Sequence, residues 1–282
     1  MSFDPADPRP LTAGVMGWPI GHSRSPVLFD HWFARYAIPG RYVPLAVAPE
    51  RFGDVYRALP HAGLRGVNVT IPHKRAALER ADAASAAARA IGAANMIVFA
   101  PDGTIHAGNT DAYGFLENLR AGAPGWRAAS GPAVVLGAGG ASRALIHALT
   151  GVGAPAIRLA NRTRETAEAL ADEFGPPVEV VDWEARSEAL DGAATLVNAT
   201  SLGMAGHPPL DIALDALPTH AVVTDIVYTP LETPLLADAR VRGLTAVDGL
   251  GMLLHQARPA FEAWFGRDPE VDADLRAACL GN

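Results

Sequence analysis

Cysteine is almost missing from this chain: Cys279 is the only one in 282 residues. That excludes an intramolecular disulfide and a cysteine-based metal site, and a position so near the last residue favours a packed thiol over a catalytic one. Charge is sparse as well. Charged residues make up 19% of the chain, and the net charge is −7 with no basic block, which argues against a nucleic-acid surface. No apolar run exceeds strand length, so no membrane-spanning helix is expected. The first residues are acidic and broken by Pro5, Pro8 and Pro10, unlike a signal peptide. Solenoid repeats, low-complexity tracts and any His/Asp/Glu spacing that demands a metal are also missing. The expectation is a cytoplasmic protein, monomer or homodimer, acting on a small molecule. What is plentiful is apolar side chains, at 49%, enough for solid cores. The length predicts two domains, since single domains mostly run ~100–200 residues.

The chain is organised around Pro132–Leu149. Val134, Val135 and Leu136 read as a strand buried on both faces. Gly137, Ala138, Gly139 and Gly140 make a turn with almost no side chains, and an Ala- and Leu-rich helical pattern follows through Ala141 and Ser142. Strand, glycine turn and helix start in that order aim backbone N–H groups at an anion. The first glycine allows the tight turn and the second lets a dinucleotide pyrophosphate approach, although Ser142 stands where a third glycine is usual. The next strand, Ala156–Ala160, runs into Asn161, Arg162, Thr163 and Arg164. An acidic residue would suit the ribose 2′-OH of NAD at that place, whereas guanidinium groups suit the 2′-phosphate of NADP. Further buried strands are expected at Val178–Val181, Thr195–Ala199, Ala221–Val227 and Leu244–Val247. Their carboxyl ends carry Thr200, Ile226 and Gly249, where ligands bind in such sheets.

Before this unit the pattern is mixed. Ala13–Trp18 is a strand leading into a loop with Ser23 and Ser25, two hydroxyls at i, i+2 that suit a polyol or carboxylate if the loop is extended. Ser25 is equally placed to cap a helix opening at Pro26. A strand ending at Val69 precedes a long Ala-rich helix predicted from Pro72 to about Ile91, which puts Lys74 in its first turn. An ammonium there opposes the macrodipole, and that invites an acid–base role beside the plainer reading of a solvated lysine. His73 is the one histidine of interest by position. A hairpin spans Ala93–Ala107 and contains Asn95. After it Asn109, Thr110 and Asp111 precede a helix that Asp111 could simply cap. A final amphipathic helix follows Gly249 and carries Gln256.

Taken together, these stretches resemble the shikimate dehydrogenase family over nearly the whole chain. The resemblance rests on Pro19–Pro26, Asn68–Lys74, Asn109–Asp111, Gly137–Arg143, Asn161–Thr163 and Gly249–Gln256 in that order. It implies an NADP-dependent oxidoreductase that reduces 3-dehydroshikimate to shikimate in aromatic amino acid biosynthesis; quinate or an amino-substituted dehydroshikimate as substrate, and a ligand-binding relative without catalysis, are the alternatives. It implies an α/β fold in two domains, an N-terminal substrate domain (1–110 with 250–282) and a Rossmann-like doubly wound dinucleotide-binding domain (111–249). By the same resemblance Ser23 and Ser25 would hold the substrate carboxylate. Thr70, Asn95, Asp111, Tyr228 and Gln256 would hold its ring hydroxyls, and Lys74 with Asp111 would move the proton. Gly137–Ser142 would take the pyrophosphate, and Asn161, Arg162 and Thr163, with Arg164, the adenosine end. The chain departs from the family pattern at Phe29, His73, Met96 and Ala107.

Overall fold

In the computed structural model, which describes residues 5–281, the short apolar runs fold as strands and the Ala- and Leu-rich stretches as helices. The chain begins with β1 (Thr12–Gly17), α1 (Ser25–Arg35), β2 (Arg41–Ala46), α2 (Phe52–Ala58), β3 (Gly66–Val69) and α3 (Lys74–Glu79). It continues with β4 (Ala83–Ala84), α4 (Ala86–Ile91), β5 (Met96–Phe99), β6 (Ile105–Gly108) and α5 (Asp111–Gly122). Next come β7 (Ala133–Leu136), α6 (Gly140–Gly151), β8 (Ile157–Ala160), α7 (Arg164–Phe174), β9 (Val178–Val181) and β10 (Thr195–Asn198). The last elements are β11 (Val222–Asp225), α8 (Pro234–Val241), β12 (Thr245–Val247), α9 (Leu250–Phe265) and α10 (Ala273–Leu280). Two units result, one running through Asp111 and resuming at Leu253, the other spanning Ala112–Met252.

The first unit is built on a mixed sheet of order β2-β1-β3-β5-β6-β4. β1 pairs in parallel with β2 and β3, while β5 runs antiparallel to β3 and β6. One end of this sheet therefore gathers the exits of β1, β3 and β6 and the entry of β5. Aromatic rings pack its core. Phe29 lies on Tyr42 at 3.8 Å between centroids, and Trp32, Phe261 and Trp264 close around it. Phe29 thus serves packing. At Gly66 a Cβ would stand 2.0 Å from the Trp264 indole nitrogen, so only glycine lets α9 lie this close to β3.

The predicted long helix from Pro72 to Ile91 is not formed. α3 stops at Glu79, and the chain drops into β4, paired in parallel with β6, before α4 begins. Two polar side chains cause the break. The Asp82 carboxylate accepts from the Ile105 amide at 2.8 Å, and Ser85 Oγ caps α4 by accepting from Ala88 at 3.1 Å.

A partly buried ion cluster fastens the start of β1. Arg9 and Arg65 both face the Asp7 carboxylate, at 2.7 and 3.5 Å, and Arg65 also donates to the carbonyls of Asp7 and Arg9. Hydrogen bonding from Arg9 and the charge of Arg65 hold the Asp7 carboxyl at about 2, below its ordinary 3.8. A depressed carboxyl stabilises the fold above its unfolded value and loses that contribution as pH falls through the folded one. Asp7→Asn is therefore expected to cost about 1–2 kcal/mol at pH 7 after solvent screening, with the gap to the parent closing between pH 3.8 and about 2. Urea unfolding of both proteins at several pH values measures it, and a gap that does not change with pH counts against the cluster.

The second unit is an all-parallel sheet of order β12-β11-β10-β7-β8-β9. Numbered from β7, this is the doubly wound 3-2-1-4-5-6 arrangement, with its reversal between β7 and β10. Val134, Leu136, Leu196, Val223, Leu235 and Leu236 lie in its core. Among the described residues, no helix is long and apolar enough to cross a membrane.

Candidate active site

In the first unit, the predicted residues gather at the sheet end just described. Lys74 opens α3 after β3, and Asp111 opens α5 after β6. Lys74 Nζ donates to Asp111 Oδ2 at 2.6 Å, with both side chains mostly buried. The Asp111 carboxylate is thus committed to the lysine rather than to capping its own helix. Asn95, just ahead of β5, organises the pair. Its amide nitrogen reaches Asp111 Oδ1 at 2.8 Å, Thr110 Oγ1 at 3.0 Å and Gln256 Oε1 at 3.1 Å, and its Oδ1 accepts from the Thr110 amide at 2.7 Å. Gln256 comes from α9, and Nε2 of the same side chain donates to the Leu253 carbonyl at 3.1 Å. Thr70 is half-buried directly after β3.

The serine loop differs from its sequence reading. It is a turn, closed by the Ser23 amide on the Ile20 carbonyl, and Ser23 Oγ accepts from the Ser25 amide at 3.3 Å. The two hydroxyls do not line one side of an extended chain. Ser25 is not the cap either: α1 starts at Ser25 itself, Arg24 is the cap residue, and no side chain caps the helix. The Ser25 hydroxyl instead meets the Tyr42 phenol, whose pKa burial pushes well up, so that ring stays a neutral donor. Tyr42 donates to Asn68 Oδ1 at 2.7 Å, and Asn68 Nδ2 donates to the Asn95 carbonyl at 3.1 Å. Tyr42 and Asn68 therefore link the serine loop to the Asn95 cluster. Sequence reasoning assigned them no role, although an asparagine inside the buried strand Gly66–Val69 was a usable signal.

Three of the noted residues stand elsewhere. His73 is buried with its ring stacked on Phe52 at 4.5 Å and its Nε2 2.7 Å from the Val47 carbonyl, so it fills an aromatic slot in the core. Ala107 belongs to the same core cluster. Met96 lies on the opposite face of β5 from Asn95, in a surface recess with Ala83, Ser85, Val98 and His106.

In the second unit the glycine turn fits a pyrophosphate. Gly137 has φ +101°, and a Cβ on it would press on the Ala199 carbonyl at 2.9 Å, so L side chains are excluded there. Gly139 and Gly140 face open space at the start of α6, whose first turn has no side-chain cap and no acid. The amides of Gly140 and Ala141 have no partner within the helix, and they meet the positive end of its dipole. Ala138 donates its amide to Asn161 Oδ1 at 3.1 Å. Ser142 is fully buried, and its hydroxyl donates to the Gly137 carbonyl at 2.7 Å. Its side chain locks the turn rather than facing a ligand.

At the tip of β8, Asn161 also donates to the Thr163 carbonyl at 2.8 Å, and Thr163 precedes α7. The two arginines behave differently. Arg164 is held by Glu168 at 2.7 Å and by Asp182. Arg162 is exposed and makes no ion pair among the described residues. Thr200 Oγ1 donates to Asn198 Oδ1 at 2.7 Å and accepts from the Leu202 amide at 3.0 Å. Gly249 passes so close to Ile226 that a Cβ would stand 2.5 Å from that residue's carbonyl. Tyr228 is half-buried beyond the end of β11.

The chain's sequence matches families described as shikimate dehydrogenase substrate binding domain over residues 15–97, shikimate / quinate 5-dehydrogenase over 126–205 and shikimate 5′-dehydrogenase C-terminal domain over 249–279. The shikimate dehydrogenase (NADP(+)) of Dinoroseobacter shibae is 60% identical over 268 residues, covering 95% of this chain and 96% of its own. The crystal structure of Thermus thermophilus shikimate 5-dehydrogenase in complex with NADP(H) and shikimate is similar with TM-score 0.85 at 36% identity, covering 96% of this chain and 98% of that one. Quinate dehydrogenase from Corynebacterium glutamicum in complex with NAD gives TM-score 0.89 at 29% identity, covering 97% and 99%.

Proposed function

The chain belongs to the shikimate dehydrogenase family, and from that premise we propose that it catalyses the reversible, NADPH-dependent reduction of 3-dehydroshikimate to shikimate. The observation that carries this reading is the Lys74–Asp111 pair at 2.6 Å, braced by Asn95 and Gln256 in a mostly buried site. NADPH, when bound, supplies the hydride. Lys74 gives a proton from Nζ to the ketone oxygen as it becomes an alkoxide. Asp111 orients the ammonium and offsets the cost of placing it at a helix start. Thr70, Asn95, Asp111, Gln256 and Tyr228 take the ring hydroxyls, and Ser23 and Ser25 take the carboxylate. The Gly137–Ser142 turn receives the pyrophosphate on the amides of Gly140 and Ala141, while Asn161, Arg162 and Thr163 hold the adenosine end. Thr200, Ile226 and Gly249 border the cofactor at the tips of β10, β11 and β12.

Steady-state kinetics with shikimate and quinate, each against NADP and NAD, test this reading. Shikimate with NADP is expected to give the highest kcat/KM. A preference for quinate with NAD would instead make the chain a functional counterpart of the quinate enzyme whose fold it shares.

Ser23→Ala and Ser25→Ala are each expected to raise KM for shikimate about tenfold, because each removes a hydroxyl bonded to a carboxylate. The alternative is a purely structural role in the turn. A lowered Tm with an unchanged KM would assign the serines to that role.

A further inference from the structure

The most deeply buried carboxylate of the second unit has no part in the chemistry described above. Asp225, the last residue of β11, is 0% exposed and has no cation beside it among the described residues. Burial raises its pKa, while three donors meet its oxygens. Asn198 Nδ2 and the Val227 amide reach Oδ1 at 3.0 and 2.9 Å, and Thr233 Oγ1 reaches Oδ2 at 2.8 Å. Asn198, itself fully buried at the end of β10, extends the network. Its Oδ1 accepts from the Thr200 amide and hydroxyl at 3.1 and 2.7 Å, and its Nδ2 also donates to the Leu202 carbonyl at 3.0 Å. Thr233 passes the bond on by accepting from the Leu236 amide at the start of α8.

The two buried side chains thus set two loops from below. Residues 199–203 carry Thr200, and residues 226–233 carry Ile226 and Tyr228. A buried acid without a counter-charge is costly to keep in a core, so its presence calls for a return that packing does not supply. We propose that Asp225 is a positioning residue: its hydrogen bonds to Asn198, Val227 and Thr233 hold these two loops in the shape that receives the dinucleotide. The role rests on the proposed function for its ligand, but the order of the loops does not.

The geometry separates hydrogen bonding from charge. An asparagine at 225 keeps one oxygen for Asn198 and Val227, and its amide can donate to Thr233 Oγ1, which has lone pairs to accept it. Alanine keeps none of these bonds. Hydrogen exchange of the ligand-free protein is the first measurement. In Asp225→Ala the amides of 199–203 and 226–233 are expected to exchange about tenfold faster or more, with the Gly137–Ser142 turn unchanged. NADPH affinity, read by fluorescence titration, and kcat/KM should fall by about tenfold or more, since small misplacements at a reacting site have large effects. Asp225→Asn should restore both to within a few-fold. Leu149→Ala, a cavity at the last turn of α6 and remote along the chain from either loop, should lower Tm while leaving loop exchange and NADPH affinity close to the parent.

Should Asp225→Ala fail to fold, Thr233→Val removes one donor and is expected to loosen residues 226–233 in the same measurement. Unchanged loop exchange in whichever of these two variants folds would overturn the proposal. So would an Asp225→Asn protein as impaired as the alanine variant, because charge would then be the operative property. A parent protein that fails to oxidise shikimate while its loops still loosen in Asp225→Ala would sink the proposed function and leave the loop assignment intact.

Discussion

Lys74→Met is expected to fold, to bind shikimate, and to turn over about 10²–10⁴-fold more slowly, the usual contribution of a positioned acid–base group. The loss should fall on kcat. Asp111 places Nζ at the head of α3, and methionine, one atom shorter than lysine, keeps most of its apolar stem without carrying a proton. Removing one member of a mostly buried pair also leaves a carboxylate without its cation, which is destabilising in general. Here Asn95 still donates to Asp111 Oδ1 at 2.8 Å, so the carboxylate retains one strong partner and a folded variant is expected at a lower Tm. Substrate binding measured without turnover separates the two effects. A kcat within a few-fold of the parent would remove Lys74 from the chemistry.

The second large effect concerns the cofactor. Arg162→Ala is expected to raise KM for NADP roughly ten- to a hundred-fold, the equivalent of one charge-assisted contact, and to leave KM for NAD nearly unchanged. The structure sharpens the choice between the two arginines. Arg164 is tied to Glu168 and Asp182, whereas Arg162 is exposed with no ion pair to give up among the described residues. Because that guanidinium is in solvent, the preference for NADP should also weaken with added salt. Equal loss of affinity for both cofactors, or a larger effect from Arg164→Ala, would reassign the phosphate contact.

The parts legible in the sequence share one property: their signal is local. Val134–Gly140 is readable because a buried strand, a turn without side chains and a helix start each leave a mark within a few residues. The doubly wound unit is then legible from the buried strands that succeed it, although β9 to β10 and β10 to β11 are joined without an α-helix. The failures come from contacts distant in sequence. Nothing near Asp82 announces that it will hold the amide of Ile105 and so end a helix that composition alone favours. Ser25 reads as a cap until Tyr42, seventeen positions on, is seen to claim its hydroxyl. Family resemblance, not local signal, singled out Asn95 and Gln256. It did not supply Asn68, Tyr42, Asn198 or Asp225, whose work is to hold other groups in place.

The Asn95 side chain carries two amide protons and faces three oxygens, those of Thr110, Asp111 and Gln256. The Thr110 hydroxyl makes up the difference, because its own proton can turn to Gln256 Oε1 at 3.5 Å. The cluster is therefore saturated from within. Any group that enters it must replace a bond already made, and one that cannot do so leaves a buried donor or acceptor unmatched, at a cost of about 1–3 kcal/mol.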